Sequence, residues 1–515
     1  MVELDGEHLT LEMVEAVAAG ARATLSQDAR RRVERSAAVV EEITRHRRPV
    51  YGVSTGVGEF RTVAISADQA AALQRNVLRS HAAGVGRPVP EEAVRAMMVL
   101  RANALACGYS GVRPAVIDVL LLMIARGVHP IVPEQGSLGA SGDLAPLAHL
   151  GLVLMGEGEA VYEGTRMPGD AAMRRAGIDP LVPRAKEGLA LINGTQFMTA
   201  LGTLFLLRAE RLAVLADVAA ALTLEALRGT DQPFMERLHA ARPHRGQIES
   251  ARHMRALLSG SGRIVREDYA GVQDAYSLRC VPQVHGAVRH ALAHLRDVLT
   301  VEINSATDNP LIFPDEGLVV SGGNFHGEPL ALTFDYAATA VAELASISER
   351  RIERLVNPHL SGLPAFLTAD GGLCSGYMLA QYTAAALTSE NKVLAHPASV
   401  DNIPTSANQE DHVSMGAHAA RKASQVLEHS QQVLAIELLT ACQGVDFGAG
   451  DLGAGTAAAY REIRAAVPRL GADRVLSRDF ATALELVRSG RVLRAVSSVV
   501  AGAGTAGRPS PGSPL

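Results

Sequence analysis

The chain has 515 residues, 48 % of them apolar and 20 % charged, which is enough apolar material for a large core and too much for a disordered chain. Its 49 Lys and Arg against 54 Asp and Glu leave a net charge of −5, so no basic excess exists to neutralise a nucleic-acid backbone. Aromatic residues make up only 4 % and Trp is absent, so the core must be built mostly from Ala, Leu and Val, and because the first two favour helix this disfavours an all-β fold.

The N-terminus lacks the basic and apolar regions of a signal peptide, and residues 7–50 read as short helices. Helical periodicity returns over Ala67–Val85 and Glu91–Cys107. Ala115–Ala125, taken as the longest apolar stretch, carries Asp118 and falls short of the ~20 residues that cross a bilayer. Between His129 and Pro146, Pro130, Pro133, Gly136, Gly139, Gly142 and Pro146 break the pattern into a loop with unusual backbone demands. Glu159–Met167 and Leu311–Val320 read as hairpins, the second turning at Pro314-Asp315-Glu316-Gly317.

Gln196–Arg228 is apolar on nearly every helical face, and long helical patterns follow over His285–Ser305, Glu328–Leu355, Gly372–Leu394 and Val413–Gln443. Together they predict a mainly α fold with an elongated central helical bundle and a smaller mixed N-terminal globular region. So much apolar helix surface also predicts self-association. The expected division is 1–195, 196–460 and 461–505, with 506–515 as a disordered tail rich in Pro, Ser and Gly. Cys107, Cys280, Cys374 and Cys442 form no C-x-x-C pair, which fits a reducing, cytoplasmic setting.

Several familiar chemistries are missing. No phosphate-binding G-x-x-x-x-G-K-[ST] occurs, and Gly139-Ala140-Ser141-Gly142-Asp143 lacks the second glycine of a nucleophile elbow. His290 and His294 share a helical face near His285 but lack the glutamate of a zinc-binding H-E-x-x-H, so polar helix-surface or interface histidines are preferred and no metal is expected. Taken alone, Gly136–Ala148 is a small-residue loop capping a helix at Asp143.

That segment nevertheless resembles the signature of the aromatic amino acid ammonia-lyase and aminomutase family. In that family an Ala-Ser-Gly tripeptide cyclises into a 4-methylidene-imidazol-5-one (MIO). Ring closure joins the amide nitrogen of Gly142 to the carbonyl of Ala140, a compressed turn that glycine resists least. Loss of water from Ser141 then leaves a methylidene group, an electron sink that no ordinary side chain provides and that needs no external cofactor. Tyr51-Gly52-Val53-Ser54-Thr55-Gly56, Ser80-His81-Ala82-Ala83-Gly84, Asn193-Gly194-Thr195-Gln196 and Gln273-Asp274-Ala275-Tyr276-Ser277-Leu278-Arg279 resemble further family blocks. So do Asn304-Ser305-Ala306-Thr307-Asp308-Asn309-Pro310, Gly323-Asn324-Phe325-His326 and Asn408-Gln409-Glu410-Asp411-His412, all in family order.

The resemblance implies a carbon–nitrogen lyase and assigns its parts. Ala140, Ser141 and Gly142 form the MIO, which captures the substrate amino group. Tyr51 removes the β-proton, with Tyr276 as alternative base or hydrogen-bonding partner. Arg279 grips the substrate carboxylate through paired hydrogen bonds. Asn193 and Gln273 bond the MIO or the carboxylate, and Phe325 lines the pocket. Ser80-His81 is similar to the Ser-His of members acting on histidine, where tyrosine-specific relatives tend to have His-Leu and phenylalanine-specific ones Phe-Leu. Glu410 stands in a Gln-Glu-Asp-His that those same histidine-acting members share. His81 and Glu410 would orient an imidazole ring, and Glu410 would also help the amino group leave.

The implied reaction is elimination of ammonia from L-histidine to trans-urocanate, the first step of histidine degradation, in a cytoplasmic homotetramer whose site draws on several chains. Tyrosine or phenylalanine elimination, or a 2,3-aminomutase outcome, is the alternative within the family. Ser54 and Val57 replace the Asn and Phe of many relatives, and Gly327 stands where Ala is common. These smaller residues leave room for a mobile tyrosine loop or an altered substrate.

Overall fold

Segments rich in Ala and Leu, residues of high helix propensity, fold as helices along much of the chain. The structure, a computed structural model, describes residues 1–46, 48–66, 68–265 and 272–500. Twenty α-helices lie among these residues, together with four small sheets of two or three strands. The expected disordered tail, 506–515, and Ala67 fall outside the described residues.

The chain divides into two compact units that interleave in sequence. The first comprises Met1–Leu207, Leu295–Asp335 and Pro397–Ala423, and the second Arg208–His294, Tyr336–His396 and the residues from Ser424 onward.

Within the first unit the expected short helices of 7–50 become one short helix, Leu11–Ala18, and one of twenty residues, Gln27–His46. The second is long because its apolar residues recur as Ala29, Val33, Ala37, Val40 and Ile43, burying one stripe of an otherwise charged helix. Val2–Leu4 pairs in parallel with Ala23–Leu25, a contact too short to register as a strand pattern. The helix Ala70–His81 ends sooner than expected, and Val85–Pro88 instead forms an antiparallel pair with Pro133–Gln135. Both hairpins form, as Glu159–Tyr162 with Thr165–Pro168 and as Leu311–Phe313 with Leu318–Val320.

The helix Glu91–Ala106 is buried along nearly its whole length, including two arginines. Arg95 meets the carbonyls of Val17 at 2.8 Å, Ile124 at 3.0 Å and Ala21 at 3.1 Å. Val17 and Ile124 lie in the last turns of their helices, where carbonyls lack intrahelical partners. Arg101 reaches toward the candidate site described below.

In the second unit a buried ion pair joins two long helices. Arg351 on Glu328–Val356 meets Glu437 on Gly416–Val445, and the carboxylate also accepts from Ser348 Oγ at 2.6 Å and Thr223 Oγ1 at 2.9 Å. These extra donors are what let a carboxylate be buried. Asp217, buried on Gln196–Ala226, is similarly surrounded by Ser250 Oγ at 2.7 Å, His253 Nδ1 at 3.0 Å, His285 Nδ1 at 2.7 Å and Arg289 Nη2 at 2.5 Å. Despite burial, the Arg289 charge and the hydrogen bonds from His253 and His285 hold its carboxyl well below the usual range. His285 thus has a structural task, and His290 accepts the Gly246 N–H at 3.1 Å.

By length and composition the Glu328–Val356 helix could cross a membrane. Its apolar window is 61 % buried, the pattern of a core helix. The remaining long helices start and stop within a few residues of expectation except Gly372–Leu394, whose helix begins at Met378. Gly372 and Gly376 upstream take positive φ, which holds that entry out of the helix.

Candidate active site

The loop after Pro133–Gln135 is bent by three left-handed glycines, Gly136, Gly139 and Gly142, at φ 137°, 67° and 73°. At Gly142 no larger residue fits: an added Cβ would stand 2.2 Å from the Gly194 carbonyl oxygen. The two glycines form an isolated parallel bridge, and the Asp143 N–H donates to Gly194 O at 2.7 Å. Gly194 is constrained in turn by Arg101, Gln196 and Thr307, each within 2.6 Å of where its Cβ would be. Two glycines thus bring the Ala140-Ser141-Gly142 turn against Asn193-Gly194-Thr195-Gln196.

A second segment braces the same loop. Ser414 Oγ donates to Gly139 O at 3.0 Å, and the Met415 N–H to Leu138 O at 2.8 Å. Gly327 belongs to this contact, since a Cβ there would lie 2.7 Å from Met198 Sδ and 2.8 Å from Ser414 Oγ. The glycine where Ala is common therefore lets Met198 and Ser414 pack against the loop. Phe325, half-buried, lies just ahead of it.

Asp143 is a correction to the sequence reading. It precedes the helix Leu144–Leu154, but its side chain makes no cap. It accepts instead from Ser137 Oγ at 2.8 Å and from the Met198 N–H at 2.9 Å, in the first turn of Gln196–Ala226. Burial pushes its carboxyl up to about 7, against these hydrogen bonds. The folded value exceeds the ordinary 3.8, so the fold favours the neutral acid. That contribution is complete below about pH 4 and is lost as pH rises through 7. Asp143→Asn should remove this slope, changing the wild-type-minus-variant stability difference by roughly 4 kcal/mol between pH 4 and 8. Denaturant midpoints across that range check it.

Ser141 and Glu410 meet directly. The Ser141 hydroxyl donates to Glu410 Oε1 at 2.9 Å, and Thr405 Oγ1 donates to Glu410 Oε2 at 2.9 Å. The turn that carries Glu410 runs through Ser406, Ala407 and Asn408, all with positive φ, and closes by backbone pairing of Thr405 with Glu410. Such strain in non-glycine residues persists only where the surroundings over-determine it. Asn193 Nδ2 donates to Ser141 O at 3.3 Å, while Asn193 Oδ1 is buried with no protein partner. Arg101, fully buried, donates to Asn193 O at 3.1 Å and Gln196 Oε1 at 2.7 Å. It was missed as a site-positioning residue, although a charge inside an apolar helical pattern was the available signal.

His81 ends the helix Ala70–His81, with Nδ1 2.8 Å from Val77 O and 3.0 Å from Ser80 Oγ. Assigning the proton to Nδ1 satisfies the carbonyl and leaves Nε2 free for a ligand. Burial pushes the imidazole down, opposed by the Val77 carbonyl and by the charge of Glu410. Tyr51 Oη accepts the Gly58 N–H at 3.0 Å. Ser54 Oγ accepts from the Val50 N–H at 2.9 Å and donates to Arg48 O, so the small residue ties down the entry to the tyrosine loop. Gly58 lies beside Ser406, placing the tyrosine loop against the turn that carries Glu410.

Tyr51, His81, Ala140, Ser141, Gly142, Asn193, Phe325 and Glu410 all belong to the first unit. Gln273, Tyr276 and Arg279 belong to the second. There Gln273 and Tyr276 are exposed, and the Arg279 guanidinium lies 4.4 Å over the Tyr276 ring with its Nε buried and without a protein partner. Arg351 Nη1 donates to Ser277 O at 3.4 Å, bracing that turn against a buried ion pair.

The loop fits an internally formed ring. Gly142 offers an unencumbered nitrogen in a tight turn, the Ser141 hydroxyl has a carboxylate beside it, and Asn193 donates to the carbonyl that the ring would retain. The aromatic amino acid lyase family model matches residues 9–465. The histidine ammonia-lyase of Alkaliphilus metalliredigens is 56 % identical over 501 residues, covering 97 % of this chain and 99 % of its own length. The crystal structure of histidine ammonia-lyase from Trypanosoma cruzi superposes with a TM-score of 0.91 at 45 % identity, covering 99 % of this chain and 98 % of that one. The tyrosine aminomutase of Streptomyces globisporus superposes at 0.93 with 41 % identity, covering 97 % and 99 %. Since the matched span contains every motif block from Tyr51 to His412, the chain belongs to the aromatic amino acid lyase family.

Proposed function

We propose that this protein eliminates ammonia from L-histidine to give trans-urocanate, using an MIO formed from Ala140, Ser141 and Gly142. The observation that carries the reading is the convergence of Glu410 on Ser141, with His81 close enough to feel its charge. A carboxylate and an imidazole beside the reacting loop suit a substrate ring that both donates and accepts hydrogen bonds, and would be poorly matched to phenyl. Identity of 51–57 % to histidine ammonia-lyases over nearly the whole chain supports the same reading.

The MIO, once formed, supplies an electrophile for the substrate amino group, and the side chains do the rest. Asn193 Nδ2, donating to Ser141 O, withdraws electron density from the carbonyl of that group. His81 presents Nε2 to the substrate imidazole while Val77 O fixes its orientation. Glu410 takes the partner nitrogen of that ring and assists departure of the amino group. Tyr51 accepts the β-proton, its oxygen held by the Gly58 N–H. Arg279 binds the substrate carboxylate and Phe325 lines the pocket, with Gln273 and Tyr276 as supporting hydrogen-bonding groups. We place these groups in a soluble, cytoplasmic homotetramer whose sites draw residues from several copies of the chain.

The test is product analysis with L-histidine, L-tyrosine and L-phenylalanine under identical conditions. Urocanate from histidine should exceed the products of the other two by at least ~100-fold in kcat/KM, a floor below the ~10⁴–10⁵ by which a polar site can reject a substrate lacking its hydrogen bonds. Preference for tyrosine or phenylalanine, or a β-amino acid as main product, would overturn the histidine assignment.

A further inference from the structure

Two motif histidines have no part in the proposed reaction, and the structure brings them together. His326 and His412 stack with ring centroids 5.8 Å apart and planes 1° from parallel. Beside them lies Glu328, in the first turn of Glu328–Val356. Nitrogen and carboxylate atoms of the three side chains all lie within 4.8 Å of one another, and among the described residues no other trio of metal-ligating side chains comes so close. Glu328 Oε2 is buried with no hydrogen-bond partner, an arrangement that is unfavourable for a carboxylate unless something else satisfies it.

We propose that His326, Glu328 and His412 bind a divalent transition-metal ion of the zinc type. Two imidazoles and one carboxylate form a donor set that such ions accept, whereas magnesium and calcium prefer oxygen ligands alone. Zinc–ligand bonds of about 2.0–2.1 Å put tetrahedral donors about 3.4 Å apart, so the side chains close by no more than about 1.4 Å, within reach of small rotations. The existing contacts of His326 yield readily: Nδ1 accepts the Glu328 N–H at 3.3 Å, and Nε2 lies 3.3 Å from His412 O, both longer than the usual 2.9–3.0 Å. His412 is exposed while His326 and Glu328 are half-buried, so an ion has an open approach and can keep a water ligand.

The ion would clamp two segments that matter to the candidate site. His326 follows Phe325 directly with Glu328 two residues beyond it, and His412 stands two residues from Glu410. Its role is to hold pocket wall and carboxylate in register, apart from the bond-breaking step.

Chelator-stripped full-length protein, dialysed against zinc chloride with metal analysis of both compartments, tests this independently of turnover. One zinc per chain with a dissociation constant of about 10 μM or tighter is expected. Circular dichroism should find His412→Ala and Glu328→Gln folded, since one side chain is exposed and the other change is isosteric. Each variant should weaken binding by at least ~10-fold, while magnesium chloride at the same concentrations leaves the protein unloaded. Failure to load near one zinc per chain at ~100 μM, or unchanged affinity in both variants, would overturn the proposal.

Discussion

Ser141→Ala should abolish elimination, lowering kcat by at least ~10³-fold, about 4 kcal/mol of transition-state stabilisation. The hydroxyl removed is the one that donates to Glu410 and whose departure would leave the methylidene carbon. Alanine has nothing to lose at that position, so the electrophile cannot form. The loop itself should persist: its bend rests on Gly139 and Gly142, and its contacts to Gly194, Ser414 and Met415 run through groups that the substitution leaves in place. Circular dichroism and the thermal midpoint should therefore stay close to wild type while histidine turnover disappears. Retained turnover would mean that another group captures the amine.

Tyr51→Phe should lower kcat by ~10²–10⁴-fold, the range attributed to a single general base. Its ring would still fill the half-buried position, so the fall should be in kcat more than in KM. Losing the oxygen also frees the Gly58 N–H, which stands beside the Glu410 turn, so a modest rise in loop mobility should accompany the kinetic effect. Steady-state kinetics on histidine checks the first point and hydrogen exchange at residues 51–58 the second. A variant within threefold of wild type would move the base assignment to Tyr276.

Much of the fold was legible because local chemistry dictated it. Pro314-Asp315-Glu316-Gly317 turns one hairpin as its residues require, and the long apolar runs become helices near their expected bounds. The twenty-residue helix Gln27–His46 was harder to see because only a narrow stripe of it is buried among many charges. The strand pair Val2–Leu4 and Ala23–Leu25 was harder still, since a three-residue strand has no period to detect.

The candidate site divides along the same line. Gly142, Ser141 and Glu410 were named from motif blocks, and the structure supplies what no spacing contains: a Gly194 carbonyl too close for any side chain and a hydroxyl aimed at a carboxylate. Asp143 went astray because a residue before a helix normally caps it, whereas this one reaches across to the start of another helix. Arg101 and Asp217 illustrate a broader limit. A charge within an apolar pattern signals burial with partners, but the partners of Arg101 at Asn193 and Gln196, and of Asp217 at His253 and His285, lie far off in sequence.

The central claim is that Ala140-Ser141-Gly142 matures into the electrophile. Mass spectrometry of the peptide spanning Gly136–Asp143, cut from active wild-type protein, tests this most directly. The account predicts a mass lower than the encoded sequence by two waters, one from ring closure and one from Ser141. An unmodified peptide from protein that still converts histidine to urocanate would contradict it.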